Sequence, residues 1–260
     1  MTDRMPIDVP RVRAALRGEY AEVHHTQATG STNADLVSAA HNGAPAWTAH
    51  ITEYQHAGRG RHGRVWTAPQ GSQVTLSILI RPPAQTLQRL GTMPLITGLA
   101  ILDALPIPAK LKWPNDVLIN GRKVCGILGE AVSLGDEPAL VLGLGLNVSL
   151  TEEELPVPHA ISLDLARPGV DFDRTQLTID VLLGLRRRLT QWMHNNSTLM
   201  TDYRAVCSSI GQEVKVLLPG DETLLGTAVD AADDGKLVVV DTHGQRHELA
   251  AGDVTHLRLQ

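Results

Sequence analysis

The stretch LKWPNDVLINGRKVCGILGEA (residues 111–131) decides how the main sheet of this protein is built. Its Asn120-Gly121 dipeptide separates the apolar residues 117–119 from residues 122–124, which is the pattern of two antiparallel strands joined by a two-residue turn. A doubly wound parallel sheet needs long crossover connections between its strands, so a hairpin in the middle of the sheet argues against that fold. The stretch therefore predicts a sheet that contains antiparallel pairs.

A further strand is predicted a few residues after this hairpin, in LVLGLGLNVSL (residues 140–150). Successive strand residues point to opposite faces, so Gly143, Gly145 and Asn147 share one face and the leucines between them share the other. Glycine on a strand face usually indicates that backbone or a ligand comes close there. We expect one packed face and one face that is left open for such a neighbour.

The rest of the chain supplies helices around this sheet and a separate β-rich end. A helix is predicted to begin at residues 31–33, further helices over residues 90–105 and 175–196, and strands over residues 50–55 and 74–80, the last of them half-buried. From about residue 211, five short β runs separated by turn residues predict a small barrel of SH3 size. The predicted class is α+β, with a mixed sheet and packed helices over residues 1–210 and the SH3-like β-barrel over residues 211–260.

The overall composition limits the partners of the protein. Its 260 residues carry a net charge of −5, which argues against broad nucleic-acid binding. The two cysteines have no metal-ligand spacing, and the first residues lack the apolar segment of a secretory signal. The most apolar stretch, residues 90–105, contains Pro94 and Asp103 and is too short to cross a bilayer. We therefore expect a cytoplasmic protein without a nucleic-acid or membrane partner.

The loop EYQHAGRGRHGRVW (residues 53–66) contains a literal G-x-G-x-x-G, the spacing of a dinucleotide-binding turn. That turn must open directly into a helix, whereas residues 65–71 include proline and glycine and favour no helix. The acidic residue expected about twenty positions on is also missing. A nicotinamide-dependent oxidoreductase is therefore disfavoured. Arg59, Arg61 and Arg64 instead predict a loop that binds an anion, and a solvated basic loop remains the alternative.

Five motifs together closely resemble those of the biotin protein ligases, in the family's order and spacing: GSTN (30–33), EYQHAGRGRHGRVW (53–66), KWPNDV (112–117), RKVCGI (122–127) and GLGLNV (143–148). The resemblance covers the chain from about Thr26 to the C-terminus. It implies a class II synthetase-like core, with ATP and biotin as substrates, Mg²⁺, and a biotinyl-5′-AMP intermediate. It also implies that biotin is transferred to a lysine of the biotin carboxyl carrier domain of acyl-CoA carboxylases.

The resemblance assigns roles to particular positions. Lys123 is predicted to be catalytic together with Arg59 and Arg61. The implied biotin-binding residues are Ser31, Thr32, Asn33, Gln55, Gly58, Arg59, Gly60, Arg61, Trp66, Lys123, Gly126 and Gly143. The implied ATP-binding residues are Arg61, Lys112, Asn115, Lys123 and Asn147, with Asp116 as a candidate metal ligand.

Structural alternatives stay open for several of these residues. Ser31 to Asn33 are also suited to capping a helix, Trp66 to core packing, Lys123 to a solvated hairpin end and Asp116 to a turn. At the level of the whole chain, the alternatives are a lipoate or octanoate ligase on the same fold and a nucleic-acid-binding regulatory module. Only some thirty residues precede Ser31, too few for the winged helix-turn-helix of bifunctional relatives, so we expect a ligase without repressor function.

Overall fold

A computed structural model describes residues 4–218, 220 and 222–257. Its helices are α1 (Val9–Ala15), α2 (Thr32–His41), α3 (Met93–Ala104), α4 (Leu163–Ala166), α5 (Arg174–Met193) and α6 (Leu199–Val206). Its strands are β1 (Glu22–Thr26), β2 (Thr48–Thr52), β3 (Gln73–Ile80), β4 (Lys110–Lys112), β5 (Asp116–Ile119), β6 (Arg122–Ser133), β7 (Ala139–Asn147), β8 (Glu213–Leu217), β9 (Thr223–Ala231), β10 (Leu237–Asp241), β11 (Arg246–Leu249) and β12 (Asp253–His256).

The main sheet is mixed, as predicted. Its seven strands lie in the order β1-β2-β3-β7-β6-β5-β4. Only β1 and β2 pair in parallel, and every other neighbouring pair is antiparallel. The predicted hairpin joins β5 to β6. Its turn residues Asn120 and Gly121 have φ values of 51° and 75°, the left-handed backbone that a tight hairpin turn of this kind requires.

Helices cover both faces of the sheet and complete its core. Helix α2 packs on β3 and β7, while α3 and α5 pack against each other on the opposite face. Pro94 lies in the first turn of α3, where its missing amide hydrogen costs no helical bond. Among the described residues, no helix combines the length and the apolar character that a membrane span requires.

The prediction that β3 is half-buried was wrong. All eight residues of Gln73–Ile80 are buried, the polar ones included. Val74, Leu76, Ile78 and Ile80 belong to the main core. The alternate positions face α2 instead of solvent, because Leu79 packs with Leu36 of that helix. The polar side chains of β3 are therefore enclosed between the sheet and α2.

The chain ends in a five-stranded antiparallel sheet with the order β11-β10-β9-β8-β12. Four of the predicted β runs match β8 to β11. The fifth predicted run, residues 255–259, is displaced toward the N-terminus as Asp253–His256, and its residues 258 and 259 lie outside the described residues. This small sheet contacts the turn before β5, where the Trp113 indole donates a hydrogen bond of 2.9 Å to Gly235 O. The boundary between residues 210 and 211 stays a prediction.

Candidate active site

The floor of the site is a row of small residues on the α2 side of the main sheet. Thr75, Gly145, Gly126 and Asp116 are direct partners across the four adjacent strands β3, β7, β6 and β5. Gly143 lies two residues before Gly145 on β7 and faces the same side. We call Gly126, Gly143 and Gly145 the glycine floor. The prediction that one face of β7 is bare is confirmed by this arrangement.

Side chains come too close to the glycine floor for any larger residue there. A Cβ atom on Gly145 would lie 2.6 Å from Cε2 of Trp66 and closer still to its Nε1. A Cβ on Gly126 would lie 3.0 Å from the same ring and 3.1 Å from Cε of Lys123. The indole is partly exposed and donates from Nε1 to Gln73 Oε1 at 3.1 Å. Trp66 is therefore a wall above the floor and not ordinary core.

A polar cluster at the start of α2 closes one end of the floor. The backbone amide of Thr32 donates to Gln55 Oε1 at 2.8 Å, and the Thr32 hydroxyl is 2.7 Å from Ser77 Oγ. The Ser77 hydroxyl in turn donates to Asn33 Oδ1 at 2.6 Å. A Cβ on Gly143 would lie 2.9 Å from Asn33 Cγ, so this amide rests directly on the floor. The cluster brings together four of the predicted biotin-binding residues.

Ser31 precedes this cluster as the N-cap residue of α2. Its side chain makes no capping hydrogen bond, although it is buried. The capping role that was the structural alternative for Ser31 is therefore not realised by its hydroxyl. The hydroxyl is therefore not used to cap the helix and lies beside the polar cluster.

The arginine loop, defined here as residues 58–66, folds as a short irregular hairpin. Gly60 N donates to Arg64 O at 2.7 Å, and Trp66 N donates to Gly58 O at 2.9 Å. Between these bonds, His62 has a φ of 55° and the chain makes one tight turn instead of entering an α-helix. This backbone agrees with the rejection of the dinucleotide motif.

The basic side chains of the arginine loop contact acidic partners on both sides of the floor. Arg59 Nη2 lies 3.6 Å from Glu130 Oε1, and the other carboxylate oxygen of Glu130 accepts from Asn33 Nδ2 at 2.6 Å. Arg61 Nη1 lies 3.7 Å from Asp253 Oδ1 of the small sheet. Burial lowers the pKa of Arg61 from its ordinary value. The loop thus crosses the site from the main sheet to the small sheet.

Lys123 projects toward the other end of the floor. Its Nζ lies 2.6 Å from Asp116 Oδ1 and 5.3 Å from the centroid of the Trp66 ring. Its backbone amide donates to His159 O at 2.7 Å, which fixes the strand end that carries it. Burial lowers the pKa of the nearby Lys112, and Asp116 opposes that shift. Two ammonium groups therefore share one carboxylate at this end.

Asn115 and Asn147 are placed differently from each other. Asn115 donates from Nδ2 to Ile127 O at 2.8 Å, and its Oδ1 accepts from Arg61 at 3.3 Å, at the edge of the open site. Asn147 is buried, with Oδ1 accepting from Gln73 at 2.6 Å and Nδ2 donating to Ile161 O at 3.0 Å. A phosphate could reach the Asn147 amide only if these bonds were exchanged. Its predicted role in ATP binding stays a prediction.

Four residues of the site were not found from the sequence. Gln73 and Ser77 lie on the polar side of β3; Ser77 was interpreted as part of a half-buried strand, and Gln73 lies just before the predicted strand. Glu130 and Asp253 carry no local pattern, because each meets the arginine loop from a distant part of the chain. Among the described residues, no group of three or more His, Cys, Asp or Glu is arranged to hold a metal ion.

Comparison with known proteins defines first the class and then the family. Residues 25–147, which include the glycine floor and the arginine loop, match the model of the Biotin/lipoate A/B protein ligase family. This match gives the class of protein. Residues 209–257 match the Biotin protein ligase C terminal domain. The chain is 40% identical to the Biotin--[acetyl-CoA-carboxylase] ligase of Mycobacterium tuberculosis, over 99% of this chain and 100% of the relative. The chain belongs to the biotin protein ligase family.

Solved structures agree with this assignment. The biotin protein ligase from Aquifex aeolicus in complex with biotin and ATP is similar with a TM-score of 0.76 and 27% identity, covering 92% of this chain and all of that chain. The biotin protein ligase from Leishmania major in complex with biotinyl-5-AMP is similar with a TM-score of 0.60 and 25% identity, covering 89% and 99%. The predicted α+β fold is confirmed.

Proposed function

We propose that this enzyme activates biotin with MgATP to biotinyl-5′-AMP and transfers the biotinyl group to a lysine of the biotin carboxyl carrier domain of an acyl-CoA carboxylase. The observation that carries the proposal is the placement of Arg61 and Lys123 at the end of a glycine floor whose other end is the Thr32–Asn33 cluster. Such a trench fits a ligand with a polar head and an anionic tail. The full-length similarity to a named ligase supports the same substrates.

The first step joins two anions, since biotin's carboxylate oxygen attacks the α-phosphorus of ATP and pyrophosphate leaves with the electron pair of the broken P–O bond. Such a step is accelerated mainly by positively charged groups that are already in position to stabilise the negative charge of the transition state. Lys123 and Arg61 are proposed to face the carboxylate and the α-phosphate, with Arg59 closing the loop above them. Lys112 and Asn115 are proposed to contact the nucleotide.

The biotin head is proposed to lie against the cluster at the start of α2. The hydroxyl of Ser31, which makes no capping hydrogen bond, and the amide of Asn33 offer hydrogen-bonding groups to the ligand. Gln55 and Thr32 orient each other through two contacts of 2.8 and 3.1 Å. Trp66 supplies an apolar wall, and Gly143 supplies the space that the Asn33 amide needs.

MgATP enters as the substrate complex. Magnesium in nucleotide sites usually keeps several waters and takes one or two carboxylates together with the phosphates. Asp116 fits that requirement as a single carboxylate beside Lys112 and Lys123, and we propose it as the metal's protein ligand. Its oxygen would then exchange the Lys123 ammonium for the ion.

In the second step the acceptor amine attacks the acyl carbon, and AMP leaves with the electron pair of the anhydride bond. Free lysine has a pKa of about 10.4, so the attacking amine must be made neutral. Lys112 and Lys123 place two positive charges at this end of the floor, which disfavours a third ammonium there. The arginine loop is proposed to keep water from the adenylate.

The test is biotin-dependent exchange between ATP and pyrophosphate, followed by transfer of labelled biotin to a carrier domain. Exchange with biotin and none with lipoate or octanoate is the expected result. Exchange with lipoate or octanoate instead of biotin would show that the protein is a lipoate or octanoate ligase on the same fold. No exchange with any of the three acids would refute the proposal. Salt-sensitive DNA binding without biotin would support the regulatory-module alternative.

The lid role of the loop has its own measurement. Arg61→Ala is expected to raise the fraction of biotinyl-AMP released to solvent relative to the fraction transferred. Retention of the adenylate at the wild-type level would show that the loop does not close over it.

The proposed substrate ATP and the proposed carboxylase partner are in keeping with the predicted cytoplasmic location.

A further inference from the structure

The small C-terminal sheet reaches the arginine loop through one carboxylate. Asp253, the first residue of β12, forms ion pairs with Arg64 and with Arg61, the latter at 3.7 Å, and lies 3.9 Å from His62 Nε2. Gly252 O accepts a further hydrogen bond from Arg61 Nη1 at 3.3 Å. Three basic residues of the loop tip, Arg61, His62 and Arg64, therefore meet at one point of the small sheet.

The backbone before Asp253 is fixed closely enough to hold that point in place. Gly252 has a φ of 155°, and a Cβ there would lie 2.7 Å from Cγ1 of Val216. Asp253 itself pairs with Leu217 across the ladder of β12 and β8. Its side chain is 27% exposed, so solvent screens the ion pairs only in part.

Arg61 connects this point to the main sheet. The same Nη1 that faces Asp253 donates to Asn115 Oδ1 at 3.3 Å, and Asn115 is itself bonded to Ile127 O of β6. The contacts to Asn115, Gly252 and Asp253 are all made by this one guanidinium nitrogen, so together they fix its position between the main sheet and the small sheet. Without the carboxylate, Arg61 would keep long contacts to two neutral oxygens and to the neighbouring His62 ring, and would lose its ion pair.

We propose that Asp253 is a positioning residue for the ligase reaction, which acts through Arg64 and Arg61 by holding the arginine loop across the nucleotide end of the site. The inference rests on the proposed function and adds to it a residue of the small sheet. It makes the small sheet part of the active site, because the charge that faces the phosphate is oriented from there.

The test is a kinetic comparison of Asp253→Asn, which keeps the size of the side chain and removes its charge. The KM for ATP is expected to rise about tenfold, a loss of about 1.4 kcal/mol, while kcat changes much less. Trypsin should also cut faster after Arg61 and Arg64 in the unliganded protein, as measured by mass spectrometry. Asp253→Glu retains the charge and is expected to stay close to wild type.

Two further variants separate positioning from general damage. Glu248→Gln removes a half-exposed acid of the same sheet that forms an ion pair with Arg246 away from the arginine loop, and it should leave KM and cleavage unchanged. In a double-mutant cycle, Asp253→Asn with Arg64→Ala should raise the KM for ATP by less than the product of the two single effects, since both act on one contact. Fully multiplicative effects would overturn the proposed route through Arg64.

The outcomes distinguish this inference from the function on which it rests. If the wild type shows no biotin-dependent exchange, the proposed function fails together with the kinetic role of Asp253. If the wild type is active and Asp253→Asn keeps the wild-type KM and cleavage rate, the inference about Asp253 fails alone. A fall in the KM for ATP would also overturn it, because Asp253 would then compete with the nucleotide for the arginines.

Discussion

Replacing Gly143 by alanine tests the glycine floor most directly. The new methyl group would lie 2.9 Å from Cγ of Asn33, closer still to its Oδ1, and 3.0 Å from Ser77 Oγ. The sheet backbone on both sides of Gly143 is paired, so the Asn33 side chain must move. That movement breaks its bond with Ser77 and the bonds that its Nδ2 donates to Glu130 at 2.6 Å and to Leu128 O at 3.3 Å.

The size of the effect follows from these bonds. Losing three hydrogen bonds at about 1 kcal/mol each lowers the free energy of unfolding by about 3 kcal/mol, because the Asn33 amide is buried and water cannot replace these bonds freely. Alanine in a strand regains about 0.5–1 kcal/mol relative to glycine through chain entropy. We therefore expect the free energy of unfolding to fall by about 2 kcal/mol. Biotin affinity should fall by more than about tenfold, since a ligand contact is lost as well.

Urea unfolding and calorimetric titration with biotin measure the two effects. The matched control is Gly129→Ala on β6, whose methyl would meet the flexible end of Met93 at 2.7 Å and Leu142 Cδ2 at an ordinary 3.5 Å, on the opposite face of the sheet. That control should retain wild-type affinity for biotin. Wild-type affinity in Gly143→Ala, with the expected loss of stability, would refute the placement of biotin on this floor. Wild-type stability would refute the packing argument itself.

Three further predictions concern single side chains. Lys123→Ala should lower the rate of ATP–pyrophosphate exchange by about a hundredfold or more while changing the free energy of unfolding by less than about 1 kcal/mol; a wild-type exchange rate would contradict the assignment. Arg174→Met should destabilise the fold by about 3 kcal/mol in urea unfolding, because the buried Glu53 carboxylate loses its ion pair, and Glu53→Gln in the same chain should restore part of the loss. The hydrogen bond from His247 holds the pKa of Asp241 at about 2, below the unfolded value of about 3.9. This contribution is therefore present above pH 4 and is lost as the pH falls toward 2, so Asp241→Asn should show a shallower fall of stability in that window, and an identical fall would contradict it.

The sequence predicted those parts of the fold that local chemistry determines. The Asn120-Gly121 turn needs left-handed backbone at both residues, which these residue types adopt readily. The open face of β7 followed from the two-residue period of a strand. The motifs then placed Lys123 and Arg61 at one site although more than sixty residues separate them in the chain.

The parts that the sequence did not predict depend on what lies opposite each residue. The polar positions of β3 alternate with apolar ones, which is typical of a solvent-facing strand and equally of a strand that faces a polar site. Only the position of α2 decides between the two. The ion pairs of Arg59 with Glu130 and of Arg61 with Asp253 join residues far apart in the chain, and acidic residues at such distances carry no periodic signal.

Lys123, Arg59 and Arg61, the three residues predicted to be catalytic, each have a carboxylate partner in the unliganded protein. Lys123 pairs with Asp116 at 2.6 Å, Arg59 with Glu130 at 3.6 Å, and Arg61 with Asp253 at 3.7 Å. An arriving carboxylate or phosphate therefore exchanges one anion for another instead of neutralising a bare charge. Because the charges are already oriented by these partners, little reorganisation is left for the moment of reaction. The Arg59 pair is both longer and more open to solvent than the Lys123 pair, so Arg59 should exchange its partner more readily than Lys123 does.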